Sequence, residues 1–124
     1  MNDNLIVIAE NNINASQLDN LKALLREMID DIKRDEPGTL NYEWFIADDG
    51  KSAHVYERYA DSEACMVHMG NFGQKYADQK YAERLFACLT ATKIAIYRNP
   101  SDEVREVFAG YAPIYMSRFA GVAR

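Results

Sequence analysis

Residues 55–68, VYERYADSEACMVH, place two ionisable side chains where a protein core normally has apolar ones. Glu57 lies in the middle of an apolar β-type run, and His68 lies on the apolar side of the helix that follows Asp61. A carboxylate withdrawn from water has a raised pKa and can accept a proton from a bound hydroxyl group, and an imidazole can relay it. Alternatively, Glu57 is a structural acceptor for Tyr42, His68 or a backbone amide, and His68 is a satisfied histidine beside the core. We expect the two residues to share one role.

Aromatic residues close to this stretch indicate a slot for a planar ring. Tyr42 and Trp44 belong to one predicted strand, and Phe72 and Tyr76 belong to the helical region after Asp61. Such side chains can stack on an aromatic ligand, although aromatic residues at this spacing are more often plain core. Arg98 ends the last predicted strand of the sheet. It is a candidate for stabilising an anionic oxygen intermediate, with a surface ion pair as the alternative.

The hairpin that carries Glu57 is predicted from two β-type runs, residues 39–47 and 52–59, which flank Asp49-Gly50. Asp-Gly favours a two-residue turn in which both residues have positive φ. This turn pairs Trp44 with Val55, Tyr42 with Glu57 and Leu40 with Tyr59. Because strand side chains alternate, one face then carries Leu40, Tyr42, Trp44, Ile46, Ala53, Val55, Glu57 and Tyr59.

The other elements follow from apolar spacing and from end signals. A first strand covers residues 5–10, and Asn14 to Gln17 is an Asn-x-x-Gln capping box for a helix that ends at Pro37-Gly38. Asp61 and Ser101 are predicted N-caps of two later helices, and residues 75–89 and 90–98 read as a helix and a fourth strand. The order β-α-β-β-α-β is that of an α+β, ferredoxin-like fold with an antiparallel sheet and helices on one face.

The second face of this sheet also carries apolar residues. Phe45, Tyr56 and alternate residues of the first and fourth strands are too many to leave in water. A second copy of the sheet is the simplest cover, so we expect a symmetric homodimer. Residues 1–98 form the ferredoxin-like unit, and residues 99–124 form a C-terminal helix and an apolar tail that packs on the body or on the partner.

Composition excludes several classes of function. The chain has 124 residues, enough for one domain, and a net charge of −5 without a basic run, which disfavours nucleic acid and anionic membranes as partners. Cys65 and Cys88 lack metal-ligand spacing and indicate a reduced, cytoplasmic protein. The two histidines stand on different elements and no Gly-rich phosphate loop is present, so neither a metal site nor a nucleotide site is predicted.

The motifs E-P-G-T-L before the hairpin and E-R-Y-A-D-S-E-A-x-x-x-H after it resemble those of the antibiotic biosynthesis monooxygenase family of dimeric α/β barrels. The likeness covers about residues 5–98. It implies a cofactor-independent enzyme that oxidises a small phenolic or quinol-type aromatic with O₂ and needs no metal, flavin or haem. It also places the pocket between the sheet and the helices, with Glu57 and His68 in catalytic roles. The walls on that face are Tyr42, Trp44, Val55, Tyr59 and Phe72, and Tyr76 and Arg98 are further wall candidates from the residue pattern alone.

Two alternatives use the same fold. A non-catalytic binding protein for a small molecule would need the same pocket without the chemistry. The haem-degrading branch of the superfamily has an Asn after its first strand, which Asn11 matches, but the Trp and His that accompany it have no counterparts in this chain. We therefore expect no haem.

Overall fold

The structure, a computed structural model, describes residues 3–124 of the chain. Its strands are β1 (Leu5–Ile13), β2 (Thr39–Ile46), β3 (Ser52–Tyr59), β4 (Leu89–Tyr97) and β5 (Ile114–Met116). Its α-helices are α1 (Leu18–Asp35), α2 (Ser62–Gly70), α3 (Tyr81–Cys88) and α4 (Asp102–Phe108). The strands form one sheet in the order β2-β3-β1-β4-β5, antiparallel except for the β4–β5 pair. The predicted ferredoxin-like α+β fold is confirmed.

All four helices pack on one face of the sheet. One apolar cluster joins α1 and α3 to the sheet through side chains such as Leu21, Met28 and Leu89. A second cluster joins α2 and α4 to Leu5 and Val7 of β1. Both cysteines are buried and free. No helix among residues 3–124 is long and apolar enough to span a membrane.

The hairpin keeps the predicted register over most of its length. Tyr42 pairs with Glu57 and Trp44 pairs with Val55. The expected pairing of Leu40 with Tyr59 is wrong, because a bulge makes Thr39 the partner of Tyr59. Leu40 is the extra residue of this bulge. It is 43% exposed and lies at the edge of the sheet near Ile29 and Ile32 of α1.

The turn of this hairpin also differs from the prediction. The Ala47 N–H donates to the Ser52 carbonyl at 3.0 Å, which leaves four residues in the loop rather than two. Only Gly50 has a positive φ, of 70°, whereas Asp49 does not. The register is unchanged because the four-residue loop pairs Ala47 with Ser52, as the predicted two-residue turn would also do.

Two helix starts contrast in how their caps are formed. Asp61 Oδ1 accepts the Ala64 N–H at 2.8 Å, as predicted for an N-cap. The capping box from Asn14 is wrong: helix α1 begins at Leu18, and the Asn14 side chain instead bonds the Ala87 carbonyl and Thr90. The Asn14 side chain therefore bonds residues distant in sequence and does not cap α1.

The region after α2 departs from the predicted single helix over residues 75–89. Helix α2 passes into a π-helical turn at Asn71–Lys75, a short 3₁₀ turn follows at Ala77–Gln79, and α3 begins only at Tyr81. Lys80 interrupts the path with a φ of 54°, a left-handed value that a continuous helix excludes. The wider π turn places Phe72 against the ring of His68, with centroids 4.5 Å apart.

Gly38, just before β2, packs closely against Ala64 of α2. A Cβ atom added to Gly38 would lie 2.7 Å from Ala64 Cβ, well inside van der Waals contact. The Gly38 carbonyl also accepts the Ala60 N–H at 2.9 Å, so this backbone segment is held on both sides. A glycine is therefore needed for its lack of a side chain, and its position fixes the segment that follows α1.

We predict that Gly38→Ala lowers the free energy of unfolding by about 1–3 kcal/mol, because the extra methyl group overpacks a rigid contact. Gly70→Ala is the matched control: no atom lies within 4 Å of the added Cβ, and alanine favours the helix by about 0.5–1 kcal/mol. Urea unfolding of both variants measures the difference. Equal stability of the two variants would contradict the close approach.

Candidate active site

A cavity of about 490 Å³ lies between the sheet and the helices. Its walls are largely apolar and come from the sheet, from α3 and from the C-terminal segment. Representative lining residues are Ala9, Leu85, Phe86, Leu89, Ile94 and Phe108. Glu57 and His68 both line this cavity, as do the predicted wall residues Tyr42, Trp44, Val55 and Phe72. A cavity with aromatic walls and a few convergent polar groups is the usual form of a small-molecule site.

Glu57 reaches the cavity because it alternates with Val55 and Tyr59 on the helix-facing side of β3. Its side chain retains 13% of its exposure, and the Tyr59 hydroxyl donates a hydrogen bond to Oε1. Burial raises the pKa of Glu57 above the ordinary carboxyl value, and the charge of Glu36 adds to this. The charge of His68 and the Tyr59 hydroxyl act in the opposite direction without cancelling the rise. Glu57 is therefore an unusually basic carboxylate.

His68 lies between two carboxylates. Its Nδ1 is 2.7 Å from Glu36 Oε1, within hydrogen-bonding distance, and its Nε2 is 3.9 Å from Glu57 Oε1. The residue is only 5% exposed. Its ring also contacts Tyr42 and Tyr59, with centroid separations of 5.4 and 5.5 Å. These contacts leave the imidazole little freedom, and Nε2 is the ring nitrogen on the side of Glu57.

Glu36 is a functional candidate to which the sequence analysis assigns no role, although it is the first residue of the E-P-G-T-L motif. It is 3% exposed at the C-terminal end of α1, where Thr39 Oγ1 donates to its Oε1 at 2.9 Å and Asn71 Nδ2 donates to its Oε2 at 3.2 Å. Burial alone would raise the pKa of Glu36, but the hydrogen bond and charge of His68, with Asn71 and Thr39, outweigh it and lower the pKa. One signal is present in the sequence: Glu36 follows Ile32 by four residues and so continues the buried stripe of α1.

Tyr42 and Trp44 form one aromatic wall, with a T-shaped contact of 6.3 Å between centroids. Burial raises the pKa of the Tyr42 hydroxyl, and the charge of Glu57 adds to this, so Tyr42 stays neutral. The indole N–H of Trp44 opposes that rise, although it is not in hydrogen-bonding geometry with Tyr42. Among the described residues 3–124, the indole nitrogen of Trp44 is the one buried side-chain polar atom without a hydrogen-bond partner.

Three predicted wall residues do not line the cavity. Tyr59 is fully buried behind Glu57 and acts on it through the hydroxyl group. Tyr76 packs against Phe72 at 5.8 Å, while its hydroxyl donates to Asp35 Oδ2 at 2.5 Å. Arg98 has a φ of 85° just beyond β4, and its N–H donates to the Met116 carbonyl. Arg98 therefore lies where β5 joins the sheet.

Residues outside the predicted site also line the cavity. Asn11 is 8% exposed and lines the cavity, with Nδ2 donating to the Ala53 carbonyl at 3.2 Å. Phe86 of α3 stacks on Tyr111 beyond α4, with centroids 6.4 Å apart and planes at 28°. These two aromatic residues are half exposed and mark the outer end of the cavity. His54, on the opposite face of the sheet, lies 3.8 Å from Glu10 and is remote from the cavity.

A family model described as "Antibiotic biosynthesis monooxygenase" matches residues 4–80. The chain belongs to this family. The match spans the hairpin, α1 and α2, and therefore includes Glu36, Glu57 and His68. A comparison with curated proteins gives no significant match.

Several solved structures share this fold. MupZ from Pseudomonas fluorescens aligns with a TM-score of 0.82 at 21% identity, over 100% of this chain and 91% of MupZ. SnoaB from Streptomyces nogalater, described as a cofactor-independent oxygenase, aligns with a TM-score of 0.64 at 13% identity, over 80% of this chain and 95% of SnoaB. Rv0793 from Mycobacterium tuberculosis aligns with a TM-score of 0.61 at 27% identity, over 80% of this chain and 96% of its own.

We predict that Glu57→Gln stabilises the protein at neutral pH by about 3–6 °C in melting temperature, the change that roughly 1 kcal/mol produces in a domain of this size. A carboxyl group whose folded pKa is raised stabilises the fold below its unfolded pKa and loses that contribution as pH rises through the folded value. The difference between variant and wild type should thus grow with pH and vanish in acid. Thermal unfolding across a pH series measures it.

Glu36→Gln is the control of opposite sign. Its pKa is lowered in the fold, so its contribution exists above the unfolded pKa and is lost as pH falls through the folded value. This variant should be less stable than wild type at neutral pH, with a deficit that shrinks in acid. The same pH trend in both variants would refute the assignment of opposite environments.

Proposed function

We propose that the protein is a cofactor-independent monooxygenase that oxidises a small phenolic or quinol-type aromatic with O₂. The observation that carries the proposal is the position of Glu57 Oε1 and His68 Nε2, 3.9 Å apart, on the wall of one mostly apolar cavity. Membership of the monooxygenase family and the fold shared with an oxygenase support it. The small molecule is the expected partner, and the reaction needs no group beyond the side chains present.

The chemistry follows from the ionisation of the substrate. A phenolate donates electrons to O₂ far more readily than the neutral phenol does, so the enzyme must remove the hydroxyl proton in a dry site. Glu57 accepts that proton, since a general base works best when its pKa lies near the working pH, and burial raises the pKa of Glu57 toward it. His68 is its partner in the transfer. Tyr42, Trp44 and Phe72 hold the ring and exclude water.

The reaction balances without an external reductant. A hydroquinone that loses two hydroxyl hydrogens and one ring C–H takes up one oxygen atom of O₂ and becomes a hydroxyquinone. The second oxygen atom leaves as water with the remaining hydrogens. One O₂ is therefore consumed for each quinol, and all electrons come from the substrate.

The alternative is a binding protein that uses the same cavity without turnover. The largely apolar, aromatic lining favours an aromatic ligand in either case. A binding protein predicts that ligands raise the melting temperature in proportion to their occupancy, with no consumption of O₂. Measurement of both quantities on the same ligands separates the two functions.

The proposed active form is a homodimer whose sheets face one another. The sheet face opposite the helices carries exposed apolar side chains, among them Phe45 at 58% and Met116 at 46% of full exposure, together with polar side chains such as Glu10 and His54. Exposed apolar side chains rimmed by polar ones are typical of protein–protein contact surfaces. A second copy would bury on the order of 2,000 Å² in total, the size of a stable interface.

We expect the wild-type protein to consume O₂ with at least one member of a panel of mono- and bicyclic hydroquinones, above the rate of spontaneous oxidation. Glu57→Gln should lower kcat by about 10²–10⁴-fold, the usual contribution of a general base. Glu27→Gln, on the exposed side of α1 and outside the cavity lining, is the matched control and should not alter the rate. No uptake across the panel, or an unchanged rate in Glu57→Gln, contradicts the proposed function.

Phe45→Lys should shift the protein from dimer to monomer at micromolar concentration, because it places a charge within the proposed interface. Val67→Lys changes an equally exposed apolar residue of α2, on the helix side of the sheet, and should leave the dimer intact. Static light scattering measures the mass of each. A monomeric wild-type protein would exclude the dimer.

A further inference from the structure

We propose that Glu36 is a positioning residue that fixes the tautomer of His68, so that Nε2 can accept the proton that Glu57 takes from the substrate. This inference rests on the proposed function for its catalytic consequence, whereas the tautomer itself is a property of the free protein. Its basis is the line of groups from Glu36 through the imidazole to Glu57 and the cavity.

The contacts of Glu36 determine which nitrogen of His68 carries the hydrogen. Glu36 Oε1 is 2.7 Å from Nδ1, and a carboxylate can only accept, so Nδ1 must donate its N–H. In the neutral imidazole the other nitrogen, Nε2, then has a free lone pair. That lone pair lies on the side of Glu57, whose Oε1 is 3.9 Å away.

Glu36 accepts a hydrogen bond from the Nδ1–H group of His68 without taking up its proton. Its two oxygens accept from His68, Thr39 and Asn71, and its side chain is 1% exposed. Three donors around one carboxylate keep it ionised. In triads of this kind, the carboxylate orients the imidazole and stabilises the imidazolium without becoming protonated.

The proton must cross the 3.9 Å between Glu57 Oε1 and His68 Nε2, which is longer than a hydrogen bond, so a small side-chain shift or one bridging water completes the path. The substrate hydroxyl transfers its proton to Glu57, and Glu57 transfers it to Nε2 of His68, which becomes an imidazolium between two carboxylates. Glu57 is then ionised again, and the imidazolium returns the proton to the reduced oxygen that leaves as water, which restores neutral His68. The Tyr42 and Tyr59 rings contact the same imidazole, and their hydroxyls have raised pKa values and remain neutral throughout.

Glu36→Gln tests the role because its surroundings dictate how the new amide must lie. Asn71 Nδ2 donates to the Oε2 position, so the amide carbonyl belongs there and the NH₂ group faces His68 at the Oε1 position. An NH₂ group donates to Nδ1, which forces the hydrogen to Nε2 and removes the acceptor. The Thr39 hydroxyl, which donates to Oε1 in the wild type, can rotate and accept a hydrogen bond from the NH₂ group instead.

The tautomer can be read by ¹⁵N NMR without any substrate. The chain has only two histidines, and His54→Gln removes the second signal from a site outside the cavity. Spectra at increasing pH, until the neutral imidazole is populated, should show Nδ1–H in this background and Nε2–H when Glu36→Gln is added. Glu27→Gln makes the same chemical change on the exposed side of α1, beside Arg84, and should leave the tautomer unchanged.

Oxygen uptake with quinols gives the second readout. Glu36→Gln should lower kcat by about hundredfold or more, as loss of an orienting carboxylate does in related triads, with little change in KM.

A wild-type Nε2–H tautomer overturns the proposal, as does a Glu36→Gln variant that keeps the Nδ1–H tautomer, whatever its rate. Full turnover in a variant with the switched tautomer also overturns it. If no quinol is oxidised even by the wild type, the proposed function fails, and the spectra still decide the role of Glu36.

Discussion

The hydrogen bond between Glu36 and His68 is the constraint on which the interior of this protein depends. Both groups are almost completely buried, and each would cost several kcal/mol if it were left without a partner. Their bond joins the C-terminal end of α1 to the last turn of α2, and the two residues are 32 positions apart in sequence. The close approach of Gly38 to Ala64 brings these elements near enough for the bond to form. Packing and polar pairing therefore require the same backbone geometry.

The two carboxylates beside His68 differ because their surroundings differ. Glu36 has two further side-chain donors, and its pKa is lowered, whereas Glu57 faces an apolar cavity with one tyrosine hydroxyl, and its pKa is raised. Environments that separate the pKa values of like groups also divide their roles. One carboxylate holds a fixed charge, and the other can exchange a proton with a molecule in the cavity. The imidazole between them couples the two.

The sequence predicts those features that depend on local periodicity. The pairing of Tyr42 with Glu57 follows from alternation and from the turn, and these two local signals suffice to place the acid on the helix-facing side of the sheet. The bulge that exposes Leu40 has no local signal, because it depends on how β2 joins the end of α1. The role of Glu36 is hard to predict since its partner lies on another helix, and a polar residue at a helix end is ordinarily exposed. Long-range pairing, and not propensity, sets this part of the site.

The outer end of the cavity comes from the chain beyond the family match. Tyr111, Ala112 and Ile114 lie after residue 80, and no hydrogen bond within the described chain joins them to Glu36, Glu57 or His68. MupZ aligns over this segment, whereas SnoaB aligns over 80% of the chain. The shape of the entrance and the arrangement of the polar centre are thus encoded separately. Substitutions at Tyr111, Ala112 and Ile114 can therefore reshape the opening while Glu36, His68 and Glu57 keep their positions.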